Sequence, residues 1–441
     1  MMDSKEILKL ILPEYLVENF KITKVEELNS RLDIFFEENN DFGKQSPDRQ
    51  LISKGFYPIA TIEDFPLRGK SVKLHIQRRR WTDKTTGEIV TRDWNIIAKG
   101  TRMTQEFSEL LKKIANTKLL SCKAIGDLFG VDGKKFQRQY KHKTSDFKDW
   151  EQKPHAKDWL LYPENITELL SIDEVCLSKG ELYTIVTSKA GKGKKNSIVA
   201  IVKGTKAEVV IEHLMKLPES LRNKVKEITL DMAGTMKQIA KKCFKNAIQV
   251  VDRFHVQKLV GEALQNVRIK YRWEEMDKEQ EAIAQAKQNK QTYFAEMLSN
   301  GDTKKQLLAR SRHLLYKSPN KWTSDQQQRA ELLFSLYPEI KQAYVLTNQL
   351  RAIYNQHIVK EVAMTKLAQW FNQVENSSLK QFNTVVKTFT QHYSDILNYF
   401  NQRSTNASAE SFNSKIKYFR MMYRGVRDRN FFLFRLTKLF A

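Results

Sequence analysis

The chain has 441 residues, which is long enough for more than one domain with its own core. Its 75 lysines and arginines exceed its 51 aspartates and glutamates, and the net charge of +24 favours a phosphate-rich partner such as nucleic acid. Three widely spaced cysteines exclude a disulfide scaffold and a four-cysteine zinc site. No apolar run approaches the roughly 18 residues of a membrane span, so we expect a cytoplasmic protein with no membrane partner.

The first hundred residues are predicted to form two segments. "KEILKLILPEYLVENF" places apolar residues at mixed spacings of three and four, which predicts an N-terminal helical segment and a linker over residues 1–50. Residues 51–100 contain short alternating runs separated by turn residues, so a small, basic, β-rich hairpin region is expected there.

Residues 101–150 are predicted to contain a DNA-binding helix-turn-helix. In "SCKAIGDLFGVDGKKFQRQY", the first helix would bury Ala124, Ile125 and Leu128, and Gly130 would permit the turn. Helix pairs that never touch DNA share this pattern, so a purely structural role stays open. The residues that would face DNA from the second helix are Lys134, Lys135, Gln137 and Arg138.

From residue 168 the pattern predicts an α/β domain. Three apolar runs, "ELLSIDEVCL", "ELYTIVTSKA" and "SIVAIVKG", are followed by helix, strand, helix and a last strand, "AIQVVDRFHV". This order predicts a mixed five-stranded sheet of the ribonuclease H-like kind over residues 168–255 and 401–441. Residues 256–400, rich in Gln, Lys, Glu and Leu, are predicted to form a large all-α insertion.

Carboxylates at the predicted strands indicate a metal centre. Asp173 lies in the first strand and Asp231 ends the neighbouring one, and two adjacent carboxylates in a half-dry site call for a divalent cation such as Mg²⁺. Glu410 supplies a third carboxylate on a predicted helix, where Asn413 and Lys417 share its face. A strand-end turn cap and an ordinary surface helix are the alternative interpretations.

The motifs "SIDEV", "LDMAG", "AIQVVDRFHV", "YFNQRSTNASAESFNSKIK" and "MYRGVRDRNFFLFRL" give the chain a specific resemblance over residues 100–441. It resembles insertion-sequence transposases of the ISL-three family. The resemblance implies a ribonuclease H-like fold whose Asp-Asp-Glu triad, here Asp173, Asp231 and Glu410, binds two Mg²⁺ ions, with Mn²⁺ as a substitute. It also implies a nucleoid-associated bacterial protein that cuts and joins DNA strands.

The stretch "VVDRFHV" matches an aspartate, two residues, histidine signature of related transposases that carry an insertion domain. We expect Asp252 to accept a hydrogen bond from His255 and to orient it beside the metal site, without either residue binding metal. Arg253 would face DNA. A structural corner, in which imidazole and carboxylate satisfy each other, is the alternative.

One feature departs from the family. Its members usually carry paired cysteines near the N-terminus, whereas this chain has "RRRWTDKTTGEIVTRDW" and no cysteine there, so zinc is not expected. The hairpin would instead hold together by packing around Trp81 and Trp94.

The expected function is therefore DNA transposition: binding of an element's terminal inverted repeats, then metal-dependent strand cleavage and transfer. The expected partners are double-stranded DNA, both element ends and target, and a second copy of the chain in a dimer or larger synaptic complex. Trp273, Trp322 and Trp370 would either stack a flipped base or pack between helices. Asn413 is also expected to bind DNA, and the phosphate contacts would come from Lys415, Lys417, Arg420, Arg424 and Arg427. The alternatives are a transposase-derived DNA-binding regulator without catalysis and a ribonuclease H-like structure-selective nuclease.

Overall fold

The computed structural model describes residues 4–42, 48–92, 94–178, 180–423 and 426–441. Their contacts divide the chain into two compact units. The first comprises Met1–Leu160, Leu177–Gly180 and Ser414–Ala441, and the second comprises Leu161–Cys176 and Glu181–Asn413. The finer division into five parts that the sequence suggests stays a prediction. None of the described helices is both long and apolar enough to cross a membrane.

The first unit starts with two short helices and continues as strands where the sequence pattern predicts helix. α1 (Ser4–Lys9) and α2 (Glu14–Asn19) agree with the prediction, whereas β1 (Phe20–Glu27) and β2 (Arg31–Glu38) contradict it. β2 pairs in parallel with β5 (Lys70–Gln77). The helical prediction fails after Asn19 because the strand that selects an extended backbone lies outside the local window.

Residues 51–100 hold more than the predicted small hairpin. The strands are β3 (Leu51–Phe56), β4 (Ala60–Leu67), β5, β6 (Arg79–Asp83) and β7 (Ile89–Val90). β1, β2, β5 and β4 form one sheet in that order, and β3, β6 and β7 form a second. Trp81, on β6 of the second sheet, is fully buried, and Trp94 packs against the core of the first sheet, so the two rings do not form the single hairpin core that the sequence predicts.

Two helices joined by a tight turn lie where the helix-turn-helix is predicted. α3 (Gln105–Thr117) precedes α4 (Cys122–Phe129) and α5 (Gly133–Gln139), and Gly130 adopts the left-handed conformation at φ +69°. The predicted inward face is only partly right. Ile125 is buried with Cys122, Val131 and Phe136, but Leu128 is 66% exposed because the buried face of this two-turn helix is centred on Ile125.

Residues 159–251 contain a mixed sheet with the predicted element order. Its strands are β8 (Trp159–Leu161), β9 (Leu169–Ser178), β10 (Glu181–Ser188), β11 (Ile198–Lys203), β12 (Glu227–Leu230) and β13 (Ile248–Val251). The helices between them are α6 (Ala207–Leu214), α7 (Glu219–Arg222) and α8 (Gly234–Cys243). The strand order is β13-β12-β9-β10-β11-β8, so β8 adds an edge strand to the five predicted ones.

The long segment after β13 is helical, as predicted, apart from an irregular stretch over residues 289–303. Its helices are α9 (Arg253–Gln288), α10 (Lys304–Arg310), α11 (Ser324–Leu336), α12 (Pro338–Asn355), α13 (Lys360–Asn376), α14 (Lys380–Gln391), α15 (Tyr393–Leu397) and α16 (Tyr399–Gln402). These helices share one continuous apolar core that reaches β13. We call this segment the insertion. The chain ends with α17 (Ala407–Met422) and α18 (Arg429–Phe440).

Gly126 should control the fit between α4 and α5. A Cβ atom there would lie 2.7 Å from both Gly133 Cα and the Val131 carbonyl oxygen. Because these are backbone atoms, Gly126→Ala must push the helices apart, and we expect a loss of about 1–3 kcal/mol in the free energy of unfolding. Chemical denaturation of the full chain measures it. Asp127→Ala at the exposed neighbouring position is the control, and equal stability of the two variants would contradict the prediction.

Candidate metal centre

Parallel pairing brings the two predicted aspartates to the same level of adjacent strands. β12 pairs in parallel with β9, and Thr229 lies opposite Ser171. Two residues further along each chain stand Asp231 and Asp173. An advance of two residues preserves the side-chain face of a strand, so the register aligns both carboxylates at the same edge of the sheet.

A third aspartate joins them from the next strand. β13 pairs in parallel with β12, and Leu230 lies opposite Val251. The residues that follow are Asp231 and Asp252, and the backbone N–H of Asp252 donates to the Leu230 carbonyl at 3.0 Å. Asp231 and Asp252 thus directly follow the ends of β12 and β13, and Asp173 lies within the longer neighbouring strand β9 at the level where its pairing with β12 ends. Neighbouring strands are about 4.8 Å apart.

Asp173 is held on both of its oxygens. Its Oδ1 accepts from the backbone N–H of Glu174 at 2.8 Å, and its Oδ2 accepts from Asn413 Nδ2 at 2.7 Å. Burial raises the pKa of Asp173, the charges of Asp231 and Asp252 raise it further, and the backbone hydrogen bond and His255 oppose the change. The carboxylate is thus oriented, and its charge is poorly compensated by the protein.

Glu410 reaches the same place from the start of α17. The backbone N–H of Asn406 donates to Asp252 Oδ1 at 3.2 Å, and the N–H of Glu410 donates to the Asn406 carbonyl at 2.9 Å. Burial raises the pKa of Glu410, Asp252 and Asp173 add to the rise, and His255 opposes it. Glu410 Oε1 is buried and, within the described residues, has no hydrogen-bond partner.

Asp252, His255 and Glu410 form the tightest group, since each offers a ligand atom and these atoms all lie within 4.8 Å of one another. The predicted Asp252–His255 hydrogen bond is not the contact found at Asp252 Oδ1, which instead accepts from the Asn406 backbone. The expectation that this pair supports the site without binding metal stays a prediction, beside the alternative that both residues are ligands. Two carboxylates suit both Mg²⁺ and Mn²⁺, whereas an imidazole nitrogen beside them favours the transition-metal ion over Mg²⁺.

The residues of this centre fit a divalent cation. Burial and mutual repulsion raise the pKa values of Asp173 and Glu410, so ionising both carboxylates costs free energy. The buried Glu410 Oε1, which has no donor among the described residues, adds a further cost. A cation bound between them would remove both costs, and oxygen ligands are the ones that hard divalent ions prefer.

A family model for ISL3 (ISL-three) DDE transposases, described as "Transposase", matches residues 170–436. The chain belongs to this transposase family. It is also similar to the transposase for insertion sequence element IS1001 from Bordetella parapertussis, with 22% identity over 388 residues that cover 87% of this chain and 84% of that protein. Membership of a transposase family implies an enzyme that acts on DNA.

The predicted DNA contacts of this transposase lie in several environments. On α5, Lys134 and Arg138 are exposed, Gln137 is half-buried, and Lys135 pairs with Glu63 at 3.0 Å. On α17, Lys417 is exposed, while Lys415 and Arg420 are half-buried. Arg424 lies outside the described residues.

Two predicted DNA contacts bond to other parts of the protein. The guanidinium of Arg253 donates to the Tyr354 carbonyl at 3.4 Å and to Asn355, so it is engaged with the end of α12. Asn413 is 8% exposed and binds Asp173, which makes it a support of the metal centre. The helical spacing of Asn413 from Glu410 could have indicated this role, because residues three apart share a face.

Asp173→Asn should stabilise the metal-free transposase at neutral pH. Because the folded-state pKa of Asp173 is raised, the folded state binds more protons than the unfolded state between the ordinary and the raised pKa, and stability falls as pH rises through that window. The substitution removes this loss, worth about 1.4 kcal/mol per pKa unit. Thermal unfolding in EDTA should show a higher midpoint than the wild type at neutral pH, and no gain below about pH 4.

Exposed Glu212 on α6 gives the control, since Glu212→Gln should leave the midpoint unchanged at both pH values. Added Mg²⁺ should narrow the gap between the wild type and Asp173→Asn by stabilising only the wild type. A lower midpoint for Asp173→Asn at neutral pH would show that its charge is already compensated.

Proposed function

We propose that this protein is an active transposase that binds the terminal inverted repeats of an insertion sequence and catalyses metal-dependent DNA strand cleavage and strand transfer. The observation that carries the proposal is the convergence of Asp173, Asp231 and Glu410, from two adjacent parallel strands and one distant helix, at one edge of a sheet. Coulombic interactions link Asp173 to both other carboxylates.

The sheet supports a ribonuclease H-like catalytic domain. Three consecutive strands, β11, β10 and β9, lie side by side, and β12 and β13 then extend the sheet in parallel beyond β9. This is the strand order expected for that fold, and its first and fourth strands carry Asp173 and Asp231. The insertion follows β13, and α17 returns Glu410 to the same edge.

Asp173, Asp231 and Glu410 would hold two Mg²⁺ ions, with Mn²⁺ as a substitute. When bound, such ions activate water or a 3′-hydroxyl and stabilise the leaving oxygen of the cleaved phosphodiester. The protein's own groups prepare this site. Asn413 fixes one oxygen of Asp173, and Asp252 holds the first residue before α17 so that Glu410 faces the strand ends.

DNA binding would involve the first unit as well. Lys134 and Arg138 lie exposed on α5, the second helix of the pair, where such a helix enters a major groove. The net charge of +24 would supply sequence-independent attraction to phosphate. Because transposition requires two element ends to be held together, the active form would be a dimer or a larger synaptic assembly.

Strand cleavage and joining test the triad. On a plasmid that carries the DNA flanking this reading frame, with Mg²⁺ or Mn²⁺, Asp231→Asn and Glu410→Gln should each lower the rate by at least about a thousandfold, because each removes a ligand charge that only the protein supplies. Glu212→Gln, an equal change on an exposed helix, should retain full activity.

The two alternatives predict different products from the same reaction. Cleavage without joining by the wild type would favour a structure-selective nuclease. Specific binding of the ends with neither cleavage nor joining would favour a regulator. Activity that survives in Asp231→Asn or Glu410→Gln would contradict the assigned triad.

His255 should tune the divalent-ion dependence. His255→Ala removes a ring within 4.8 Å of the Asp252 and Glu410 ligand atoms, so we expect activity to fall about 10- to 100-fold and the required Mn²⁺ concentration to rise. Titration of strand transfer with each ion measures this. Glu262→Gln, at an exposed position two turns further along α9, is the control, and full strand transfer by His255→Ala with unchanged ion dependence would contradict the role.

A further inference from the structure

A positively charged cavity lies in the insertion, within the second unit and between α9 and the segment that follows α10. Its volume is about 500 Å³, which is within the range of small-ligand pockets. The lining residues are Gln265, Arg268, Ile269, Arg272, Trp273, Ala309, Arg312 and Tyr316. Those from α9 follow helical spacing, so they form one face of that helix. We call this the arginine cavity.

Three arginines converge on the cavity, and no acidic residue is among those that line it. Arg268 is 4% exposed and donates to Gln265 Oε1 at 2.7 Å and to the Leu308 carbonyl at 2.9 Å. Burial lowers the pKa of Arg268, and the charges of Arg272 and Arg312 lower it further. Like charges gathered without a carboxylate repel one another, and an anion bound among them would relieve that repulsion.

The floor of the cavity is built from fixed contacts. Gln265 is buried, and its Nε2 donates to the Arg312 carbonyl at 3.2 Å while its Oε1 receives Arg268. Tyr316 packs on α9 beside Gly261, where a Cβ atom would lie 3.3 Å from the tyrosine ring. The cavity is therefore a defined part of the fold. Its other two arginines, Arg272 and Arg312, are exposed and take part in no salt bridge among the described residues, so their guanidinium groups can bind a ligand.

An aromatic surface lies beside these charges. Trp273 is 59% exposed and Tyr316 is 46% exposed. The other insertion tryptophans differ, because Trp322 stacks on Tyr344 and Trp370 is buried with its indole N–H bonded to the Leu346 carbonyl. Packing between helices thus accounts for Trp322 and Trp370 but leaves most of Trp273 uncovered.

We propose that the arginine cavity binds an unpaired nucleotide of a DNA strand, with its phosphate among Arg268, Arg272 and Arg312 and its base stacked on Trp273. Guanidinium groups bind phosphate oxygens through paired N–H donors, and an exposed indole stacks on any base. In a blunt duplex every base is paired and must unpair before it can enter a pocket, so the cavity selects single-stranded ends or unpaired positions. The inference rests on the proposed function, because it identifies the part of the DNA substrate that the insertion takes.

Equilibrium binding of the full chain tests the cavity without catalysis. Fluorescence anisotropy in EDTA and at constant salt compares a labelled duplex with a short single-stranded overhang against the blunt duplex of the same sequence. The wild type should prefer the overhang. Trp273→Ala and Arg272→Gln should each weaken overhang binding about tenfold or more and blunt-duplex binding less than about threefold, while Trp273→Phe keeps the preference.

Lys287→Gln provides the matched control, since it removes one exposed positive charge from the same helix outside the cavity. If Arg272→Gln lowers the affinity for both DNAs equally, the cavity contributes only general electrostatic attraction, and the proposal is overturned. A wild type without overhang preference would overturn it too. A free deoxynucleoside monophosphate that binds more tightly than the overhang DNA would assign the cavity to a soluble nucleotide instead, which also overturns it.

The outcomes separate this inference from the proposed function. Asp231→Asn combined with Glu410→Gln should keep the preference for the overhang over the blunt duplex, since neither residue lines the cavity, even where its affinity for both DNAs changes. If overhang preference depends on Trp273 but the protein never cleaves DNA, the cavity assignment stands and the transposase mechanism falls. If the protein joins DNA in a metal-dependent reaction but the Trp273 and Arg272 variants bind both DNAs like the wild type, the transposase mechanism stands and the cavity assignment falls.

Discussion

The parallel register of β9, β12 and β13 is the constraint on which the metal centre depends. Side chains alternate between the two faces of a strand, so a slip of one residue between β9 and β12 would turn Asp231 and Asp173 to opposite faces. The buried residues Ile172, Ile228 and Leu230 specify this register because each must stay in the core. The apolar sequence of the strands thus positions carboxylates that would be unfavourable neighbours in the absence of a cation.

Asp252 serves a second purpose besides adding charge to the centre. Almost wholly buried, it accepts the backbone N–H of Asn406, which lies 154 residues further along the chain. The bond closes the insertion at its base, because α9 starts immediately after Asp252 and α17 starts immediately after Asn406. Burial of this aspartate at the edge of the core is therefore explained by what it holds: the turn of helix that presents Glu410.

Local sequence patterns were sufficient for the second unit and insufficient for the first. Each predicted strand from β9 to β13 is present because short β-branched runs flanked by turns, such as "SIVAIVKG", form strands in almost any context. The same kind of argument failed at β2, whose pairing with β5 is non-local. Within the candidate centre, strand position predicted Asp173 and Asp231, and helical position predicted Glu410. The inward orientation of Asn413 and Arg253 depends on tertiary contacts that charge and polarity alone do not indicate.

The insertion is attached to the sheet at more than its two ends, and this affects what it can contribute. Asn398 Nδ2 donates to the Gln249 carbonyl on β13 at 2.8 Å, and Asp395 pairs with Lys237 on α8 at 2.6 Å. The entropic cost of closing a loop grows only slowly with its length, so an insertion of this size is tolerated. Each added contact restricts the motion of the insertion relative to β13. Since β13 also delivers Asp252, the helices that bear the arginine cavity and the strands that bear the carboxylates belong to one packed unit. A DNA strand bound by the insertion would therefore lie at a fixed distance from the candidate metal centre. In-line attack on one particular phosphate requires such positioning.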